Sequence, residues 1–481
     1  MNTISKTIVL ATALTATAAS GLAQDLNSAY FTDDYKYRHD INPAFGNSQG
    51  YAAIPILGNL NVRLQGNVGA GDVLFKNPRY GMPGEKKTVT FMHPSISYDE
   101  AMKGFSSSGI KVVGDVKLTI ASVGFNAFGG YNTVELNSKT MFGLSLPKDL
   151  MEFAKNTTND NYVFDDMAVR AYSYAELAFG HSRQIDDQWR VGAKVKALIG
   201  VGRADVEVED MRASLVGDTW MLEGKAKGQL SLKGAELRSK EKEYKTRYVT
   251  GAGGAQVPQT YQRVDDVKVD GAGIGGFGLG IDLGAVYKLD DDFTFSAALT
   301  DLGFISWSNN VVAETPGGQF AFDGFHDMAV RDAYATTGNT FSDKGDEYGD
   351  QLADFLNLES KGDQGGRTTA LAATASLGAE YKLPAYDKIS FGLLAQQRFN
   401  GKFSFTEGRL SANWRPLGWL NGGVSFAANS YATSMGWILN IHPKGYNFFV
   451  GMDHIFGKHT KQFIPVNSAN ASLALGMNIT W

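Results

Sequence analysis

Apolar and polar residues alternate with a period of two along many short stretches of this chain. In the last ten residues, 472–481, leucine, methionine, isoleucine and tryptophan alternate with small or polar residues. The same alternation recurs over 60–65, 189–196, 279–289 and 293–299. A period of two places all apolar side chains on one face of a β-strand, so these stretches predict strands with one apolar and one polar face.

The stretches are joined alternately by short polar turns and by long connections. The compact turns are 186–188, 290–292, 384–387, 415–418 and 442–445. The long connections are polar and rich in glycine, and they cover 69–109, 146–166, 234–272, 314–368 and 457–469. Outer-membrane β-barrels have short periplasmic turns and long outer loops, so this asymmetry predicts an up-and-down barrel with an even number of strands.

The strand count depends on one charged pair of stretches. Counting 204–216 and 219–233 as two membrane crossings gives 16 strands, and treating them as an outer hairpin gives 14. The pair carries several glutamates and lysines. Charged side chains suit solvent better than lipid, so we favour about 14 strands.

Two further arguments favour a membrane barrel over a soluble β-sandwich or propeller, whose strands also alternate. A closed barrel gives every backbone polar group in lipid a partner and leaves no free edge. Aromatic residues lie near the strand ends, as in an interfacial girdle. They are Trp189, Tyr287, Trp307, Trp414, Trp419, Trp437 and Trp481. The sequence therefore predicts an all-β fold, a transmembrane antiparallel β-barrel.

The N-terminus has the pattern of a secretory signal. Lys6 precedes an apolar stretch over 7–19, and the small residues of 21–23 suit cleavage after Ala23. We expect a signal peptide over 1–23, an N-terminal segment over 24–53 and a barrel over 54–481. The chain has no cysteine, so it needs no disulfide in an oxidising compartment. The expected location is the outer membrane of a Gram-negative bacterium, in contact with its lipid.

The charged residues argue against a nucleic-acid partner, and their positions on the strands indicate a polar lumen. The chain has 45 Lys and Arg against 50 Asp and Glu, without a basic tract, so we expect no nucleic-acid partner. Several charged residues occupy the alternate strand positions that carry polar side chains, so they should face the lumen. They are Arg63, Glu135, Lys139, Lys194, Lys196, Asp282, Lys288 and Arg398. They either neutralise one another to hold the barrel's shape or line a transport path.

Signals for catalysis are weak. The seven histidines show no metal-ligand spacing, and neither 181–182 nor 453–454 lies in a nucleophile motif. The glycine-rich stretch 271–276 runs into a strand, so a pyrophosphate would meet no helix N-terminus there. We therefore expect no enzyme, no catalytic or metal residues and no cofactor.

The segment 24–50 follows the signal and precedes the first clear alternation. It interleaves five aromatic residues with charged ones. A free tail of this composition would leave large rings in water, so we expect the segment to fold back into the lumen as a hatch. The alternative is a disordered periplasmic leader.

Three motifs and the C-terminal residue resemble a known family. The motifs are 38–45 (Arg-His-Asp-Ile-Asn-Pro-Ala-Phe), 146–150 (Leu-Pro-Lys-Asp-Leu) and 300–307 (Thr-Asp-Leu-Gly-Phe-Ile-Ser-Trp). Most of the chain after the signal resembles uncharacterised outer-membrane barrels related to long-chain fatty-acid transporters and to the shuttle barrel of type IX secretion. The terminal Trp481 matches the aromatic ending that the barrel assembly machinery recognises.

This resemblance implies 14 strands, an N-terminal luminal hatch and passage of an apolar ligand through a strand kink. The element Asn42-Pro43-Ala44 matches the hatch motif, and Arg38 and Phe45 flank it; as an ordinary turn, Pro43 would simply restrict Asn42 to extended geometry. No ligand-pocket residue matches. Two functions remain open: a barrel that transports or binds a small hydrophobic molecule, and a docking scaffold for another envelope or secretion protein.

Overall fold

A computed structural model describes residues 25–156, 159–217, 219–251, 254–271, 273–322, 341–455 and 470–481. The expected signal peptide, 1–23, and the connection 457–469 lie outside these ranges. Of residues 341–345 only the backbone is described.

The strands follow one another along the described chain, joined by tight turns and by longer connections that contain short helices. In chain order they are β1 (Tyr51–Ala53), β2 (Asn59–Gly66), β3 (Leu74–Lys76), β4 (Thr88–Thr90), β5 (Ile110–Ala127), β6 (Gly130–Leu146), β7 (Asn161–Val163), β8 (Ala168–Gln184), β9 (Trp189–Ser214), β10 (Trp220–Leu232), β11 (Ala235–Thr250), β12 (Gln256–Val269), β13 (Gly276–Lys288), β14 (Phe293–Trp307), β15 (Val311–Glu314), β16 (Gln319–Phe322), β17 (Glu359–Asp363), β18 (Arg367–Ala370), β19 (Ala373–Lys382), β20 (Ile389–Phe399), β21 (Phe405–Leu417), β22 (Leu420–Asn429), β23 (Thr433–Ile441), β24 (Tyr446–Met452) and β25 (Ala471–Thr480).

Helices are short and few among the described residues. They are α1 (Arg38–Ile41), α2 (Ala70–Val73), α3 (Tyr98–Met102), α4 (Lys148–Lys155) and α5 (Phe341–Leu356), with 3₁₀ turns at Asn27–Ala29 and Gly401–Phe403. In the described ranges, none of the helices has the length and apolar character that a membrane crossing requires.

Fourteen antiparallel strands close into a barrel, as predicted. In order around the wall, the strands are β2, β5, β6, β8, β9, β13, β14, β19, β20, β21, β22, β23, β24 and β25. The short strands β1 and β18 extend the wall beside β2 and β19. The last strand pairs with the first, with Thr480 opposite Tyr51 and Leu475 opposite Leu60. Closure removes the free sheet edge that lipid would not tolerate.

The two faces of the wall follow the alternation in the sequence. On β20, Phe391 and Leu393 are about half exposed and point outward, whereas Leu394 and Gln396 are buried inside. An apolar outer face satisfies lipid, and a polar inner face satisfies water or other polar groups, so this is a transmembrane barrel of the outer-membrane type. Trp307 contradicts the expected girdle position, because it is 1% exposed and faces the lumen.

One wall strand continues far beyond the barrel. The first half of β9 pairs with β13 up to Gly200, and its second half pairs with β10 from Gly202 to Ser214. From β10 the sheet continues through β15 and β16 to β17, β12 and β11. The charged pair of stretches is therefore an outer hairpin, as favoured above. The connections 234–272 and 314–368, expected as loops, instead contain strands of this outer sheet and α5.

Candidate luminal site

The N-terminal residues 25–50, called here the luminal segment, contact inward-facing groups on several wall strands. The backbone N–H groups of Asn27 and Ser28 donate to the carboxylate of Asp453, at 2.8 and 2.6 Å. The hydroxyl of Tyr37 donates to Asn478 on β25 at 2.7 Å. These bonds satisfy buried polar groups on both partners, so the segment and the wall stabilise each other.

The Asn42-Pro43-Ala44 turn rests on two inward glycines. The N–H of Ala44 donates to Asn42 Oδ1 at 2.9 Å, which forms an Asx turn. A Cβ atom at Gly284 on β13 would lie 2.1 Å from that Asn42 oxygen, and one at Gly192 on β9 would lie 2.1 Å from the Pro43 carbonyl. Only glycine leaves the wall open enough for this turn to lie against it.

The two flanking residues of that turn bind each other. The guanidinium of Arg38 lies 4.2 Å from the centre of the Phe45 ring, a cation–π contact. Arg38 also donates to the Tyr30 carbonyl at 3.0 Å and pairs with Asp33 at 2.9 Å. The structure thus brings the five candidate hatch residues together within the luminal segment.

A buried ion cluster joins the luminal segment to the wall. The ammonium of Lys194 on β9 contacts Asp40 at 2.5 Å, Glu135 on β6 at 2.7 Å and His39 at 2.9 Å. Lys117 on β5 contacts Asp40 at 2.5 Å. Burial alone would raise the pKa of Asp40, but the two ammonium groups outweigh burial and hold that pKa well below its usual range.

His39, Asp40 and Glu135 also have the spacing of a metal site, since one ligand atom from each lies within 4.8 Å of the others. The ammonium of Lys194 contacts all three. Lysine therefore supplies the positive charge that a metal ion would bring, and the residues do not fit a metal.

A second ion cluster lies on the wall itself. Lys139 pairs with Glu176 and Asp301 at 3.0 Å each, and Lys196 pairs with Asp282 and Asp301 at 2.7 Å each. Asp301 has φ +56° at an irregularity in the β13–β14 register. This bulge turns an acidic side chain toward two lysines.

The remaining expected luminal charges fall into two groups. Arg63 and Arg398 both pair with Asp115, at 3.1 and 3.0 Å. Lys288 lies apart from all these clusters at the end of β13, where it is about half exposed and pairs with Asp291. Seven of the eight expected charges therefore lie in buried clusters of opposite charge, whereas Lys288, the last residue of β13, pairs with a residue of the next turn.

An asparagine ladder, formed by Asn421, Asn440, Asn447 and Asn478, crosses four neighbouring strands. The amide groups bond in sequence, at 2.9 Å from Asn440 to Asn421, 2.7 Å from Asn447 to Asn440 and 3.0 Å from Asn478 to Asn447. Tyr37 bonds one end, and the Asp33 carbonyl accepts from the other. Sequence analysis missed this ladder, although each asparagine has inward parity on its strand.

The outer half of the lumen combines charged groups with apolar side chains. Arg203 pairs with Asp205 there, and its guanidinium lies 5.4 Å from the centre of the Tyr172 ring. The aromatic cluster of this half consists of Tyr172, Tyr174, Leu198, Ile305, Trp307 and Leu371. The Trp307 ring lies over Gly200, whose Cβ would lie 2.6 Å from the ring, and its indole N–H donates to Thr369 at 2.9 Å. Inward-facing rings are unusual in barrels whose interior is polar. Parity along β14 does not predict this cluster, because counting from Phe293 and Phe295 puts Trp307 on the outward face. The irregularity at Asp301 reverses the parity and turns Trp307 inward.

Among the described residues, the cavities of the lumen include one at its centre and one near its periplasmic end. A central cavity of about 50 Å³ is lined by Asp25, Ile41, Lys139, Tyr174, Ser376 and Gln396, among others. A periplasmic cavity of about 30 Å³ is lined by Phe31, Thr32, Asp33, Glu380, Lys388 and Ser390, among others. Each has room for a few water molecules, so a larger solute would have to displace side chains.

Comparison with known proteins gives low similarities over long spans. The Ralstonia pickettii toluene transporter TbuX is 10% identical, with 96% of this chain and 95% of that chain covered and a TM-score of 0.39. A Pseudomonas aeruginosa FadL homologue is 10% identical, with 96% and 99% covered and a TM-score of 0.40. The translocator domain of the autotransporter NalP from Neisseria meningitidis is 9% identical, with both chains fully covered and a TM-score of 0.33.

No curated protein matches the chain. A family model does match over residues 43–453, from the Pro43 turn of the luminal segment to the end of the β24 region. That model is described as a family of unknown function (DUF5723), and this outer-membrane β-barrel chain belongs to it.

Proposed function

We propose that the barrel takes up a small hydrophobic molecule from outside the cell and binds it in the aromatic cluster of the outer lumen. The observation that carries this proposal is the inward orientation of Tyr172, Tyr174 and Trp307. The inner face of the wall does not contact lipid, so the membrane does not account for these aromatic side chains.

Physical chemistry favours such a ligand at this place. Each Å² of apolar surface removed from water contributes about 25 cal/mol. Aromatic rings add stacking or edge-to-face contacts with ligands that carry rings of their own. Tyr172 and Tyr174 also line the central cavity, so the cluster is continuous with free space. Because that cavity is small, the ligand would have to move neighbouring side chains.

Competition against a photoreactive hydrophobic probe tests the proposal. A diazirine derivative of toluene would be irradiated with the refolded barrel in lipid nanodiscs, and labelled peptides identified by mass spectrometry. We expect labelling of the β8 and β14 peptides that carry Tyr174 and Trp307. Excess toluene should abolish this labelling, because a site is saturable.

Lipid-facing positions provide the matched control. Labelling near Phe426 on β22, which is 50% exposed on the lipid-facing side of the wall, should persist with excess toluene because the probe only partitions into lipid there. The Trp307→Ala variant should lose the competed labelling and keep the rest. If excess toluene leaves the labelling of the luminal peptides unchanged, the proposal is contradicted.

We also propose that the chain reaches the outer membrane after cleavage behind Ala23, that the barrel assembly machinery recognises Trp481, and that the protein is not an enzyme. N-terminal sequencing of the protein from outer membranes tests the cleavage point. The alternative of a docking scaffold is supported by none of the contacts described above, and we do not propose it.

A further inference from the structure

The inner surface of β19 and β20 contains a groove made by two glycines. The inward residues of β19, from the outer side to the periplasmic side, are Ser376, Gly378 and Glu380. Gly392 on β20 is paired with Glu380, one level below Gly378. Glycine has no side chain, so the wall is recessed at these two levels.

Two rings of the luminal segment fill this groove. A Cβ atom at Gly378 would lie 2.7 Å from the Tyr30 ring, and one at Gly392 would lie 2.2 Å from the Phe31 ring. The two rings meet edge to face, with centres 4.8 Å apart. The Tyr30 hydroxyl lies 2.9 Å from the Ser296 hydroxyl. Both rings are almost fully buried, so they seal the groove against water.

The same two strands line a cavity on each side of the rings. Ser376 and Gln396 line the central cavity, on the outer side. Glu380 and Ser390 line the periplasmic cavity, which Phe31 itself bounds. The rings of Tyr30 and Phe31 therefore stand between two free spaces that share one wall.

We propose that the solute path through the lumen follows the inner surface of β19 and β20, and that Tyr30 and Phe31 form its gate. This proposal rests on the proposed transport function and deepens it by naming the route and the closing residues. Displacing the two rings joins the central and periplasmic cavities.

The attachments of the luminal segment support a gate at this place. Asp40 is fixed by Lys117 and Lys194, and Tyr37 is fixed to the asparagine ladder. The side chain of Phe31 makes no polar contact, and the hydroxyl of Tyr30 bonds only neutral groups. Neutral hydrogen bonds are weaker than charge-assisted ones. The rings can therefore move while the ion cluster holds the rest of the segment in place.

Ion conductance of the full-length barrel in planar bilayers with potassium chloride tests the gate. We expect the Tyr30→Ala/Phe31→Ala variant to conduct several-fold more than the parent chain. The matched control is Tyr35→Ala, which removes an equally buried ring that packs against Phe449 on β24, four strands along the wall from β20, with centres 4.9 Å apart. Tyr35→Ala should conduct like the parent. Heat-shifted mobility on a denaturing gel shows that each variant folds.

A disulfide gives a second test that does not depend on a permanent opening. The chain has no cysteine, so Phe31→Cys/Gly392→Cys introduces one pair across the groove. This variant should conduct little when oxidised and more when reduced. Parent-like conductance of both folded gate variants, or an equal rise in Tyr35→Ala, would overturn the route. Potassium and chloride report the path whether or not a hydrophobic ligand binds, so failure here is distinguishable from failure of the probe experiment.

Discussion

Replacing Lys194 with methionine would remove the ammonium group that contacts His39, Asp40 and Glu135. The side-chain volume stays similar, so the change isolates the charge. Asp40 keeps Lys117 as a partner at 2.5 Å, whereas Glu135 loses its 2.7 Å ion pair. An uncompensated buried charge after loss of its partner costs about 3–5 kcal/mol.

That cost should appear first as undocking of the luminal segment. His39 and Asp40 belong to the segment, while Lys194 and Glu135 belong to the wall. Without the ammonium group, the carboxylates of Asp40 and Glu135 face each other within 4.8 Å, and their repulsion acts between the segment and the wall. A loss of about 3–5 kcal/mol corresponds to about two to four orders of magnitude in an equilibrium constant. The expected result is a faster exchange of the α1 backbone amides by up to that factor.

Hydrogen exchange followed by mass spectrometry measures this change on the refolded barrel. Lys288→Met is the control, because this exposed lysine pairs in a turn and surface ion pairs contribute about 0–1 kcal/mol. The Glu135→Gln/Lys194→Met variant should recover much of the protection, since it removes both charges. Unchanged exchange of α1 in Lys194→Met, with the wall strands intact, would refute the reasoning.

Three further predictions concern pH, assembly and the luminal segment. Burial lowers the pKa of His454 to about 4, so this side chain stays neutral in the folded protein where it would be protonated in the unfolded chain. The free energy of unfolding should therefore fall by about 3 kcal/mol as the pH drops from about 6.5 to 4. A pH series of urea unfolding should show this slope in the parent and lose it in His454→Asn. Trp481→Lys should lower outer-membrane levels on immunoblots, although a charge near the interface costs only about 0–1 kcal/mol, because assembly recognition is lost; equal levels would contradict this. Deleting 24–47 behind the signal should raise bilayer conductance, and unchanged conductance with normal folding would place the segment outside the lumen.

The barrel was predictable because a period of two is a local property. Each strand shows its lipid face within about ten residues, and the polar turns mark where the chain reverses. Parity alone also placed Arg63, Glu135 and Lys194 on the inner face. These features need no knowledge of which strands are neighbours.

Partnerships across the lumen were not predictable, because they depend on closure and local irregularity. Lys139 and Asp301 are 162 residues apart and meet only because a bulge with positive φ turns Asp301 inward. Trp307 was assigned to the girdle from its position at a strand end, and the same bulge reverses the alternation counted from Phe293, so that Trp307 faces inward. The recessed glycines Gly378 and Gly392 are informative only once the rings above them are known.

The contacts of the luminal segment also fix an order of events during biogenesis. Asn27 bonds Asp453, and Tyr37 bonds Asn478, at separations of 426 and 441 residues. The part of the chain that is synthesised first therefore has some of its partners in the part that is synthesised last. Contacts between such distant residues form late in folding. These two bonds can form only after the final strands are in place, because Asp453 directly follows β24 and Asn478 lies on β25.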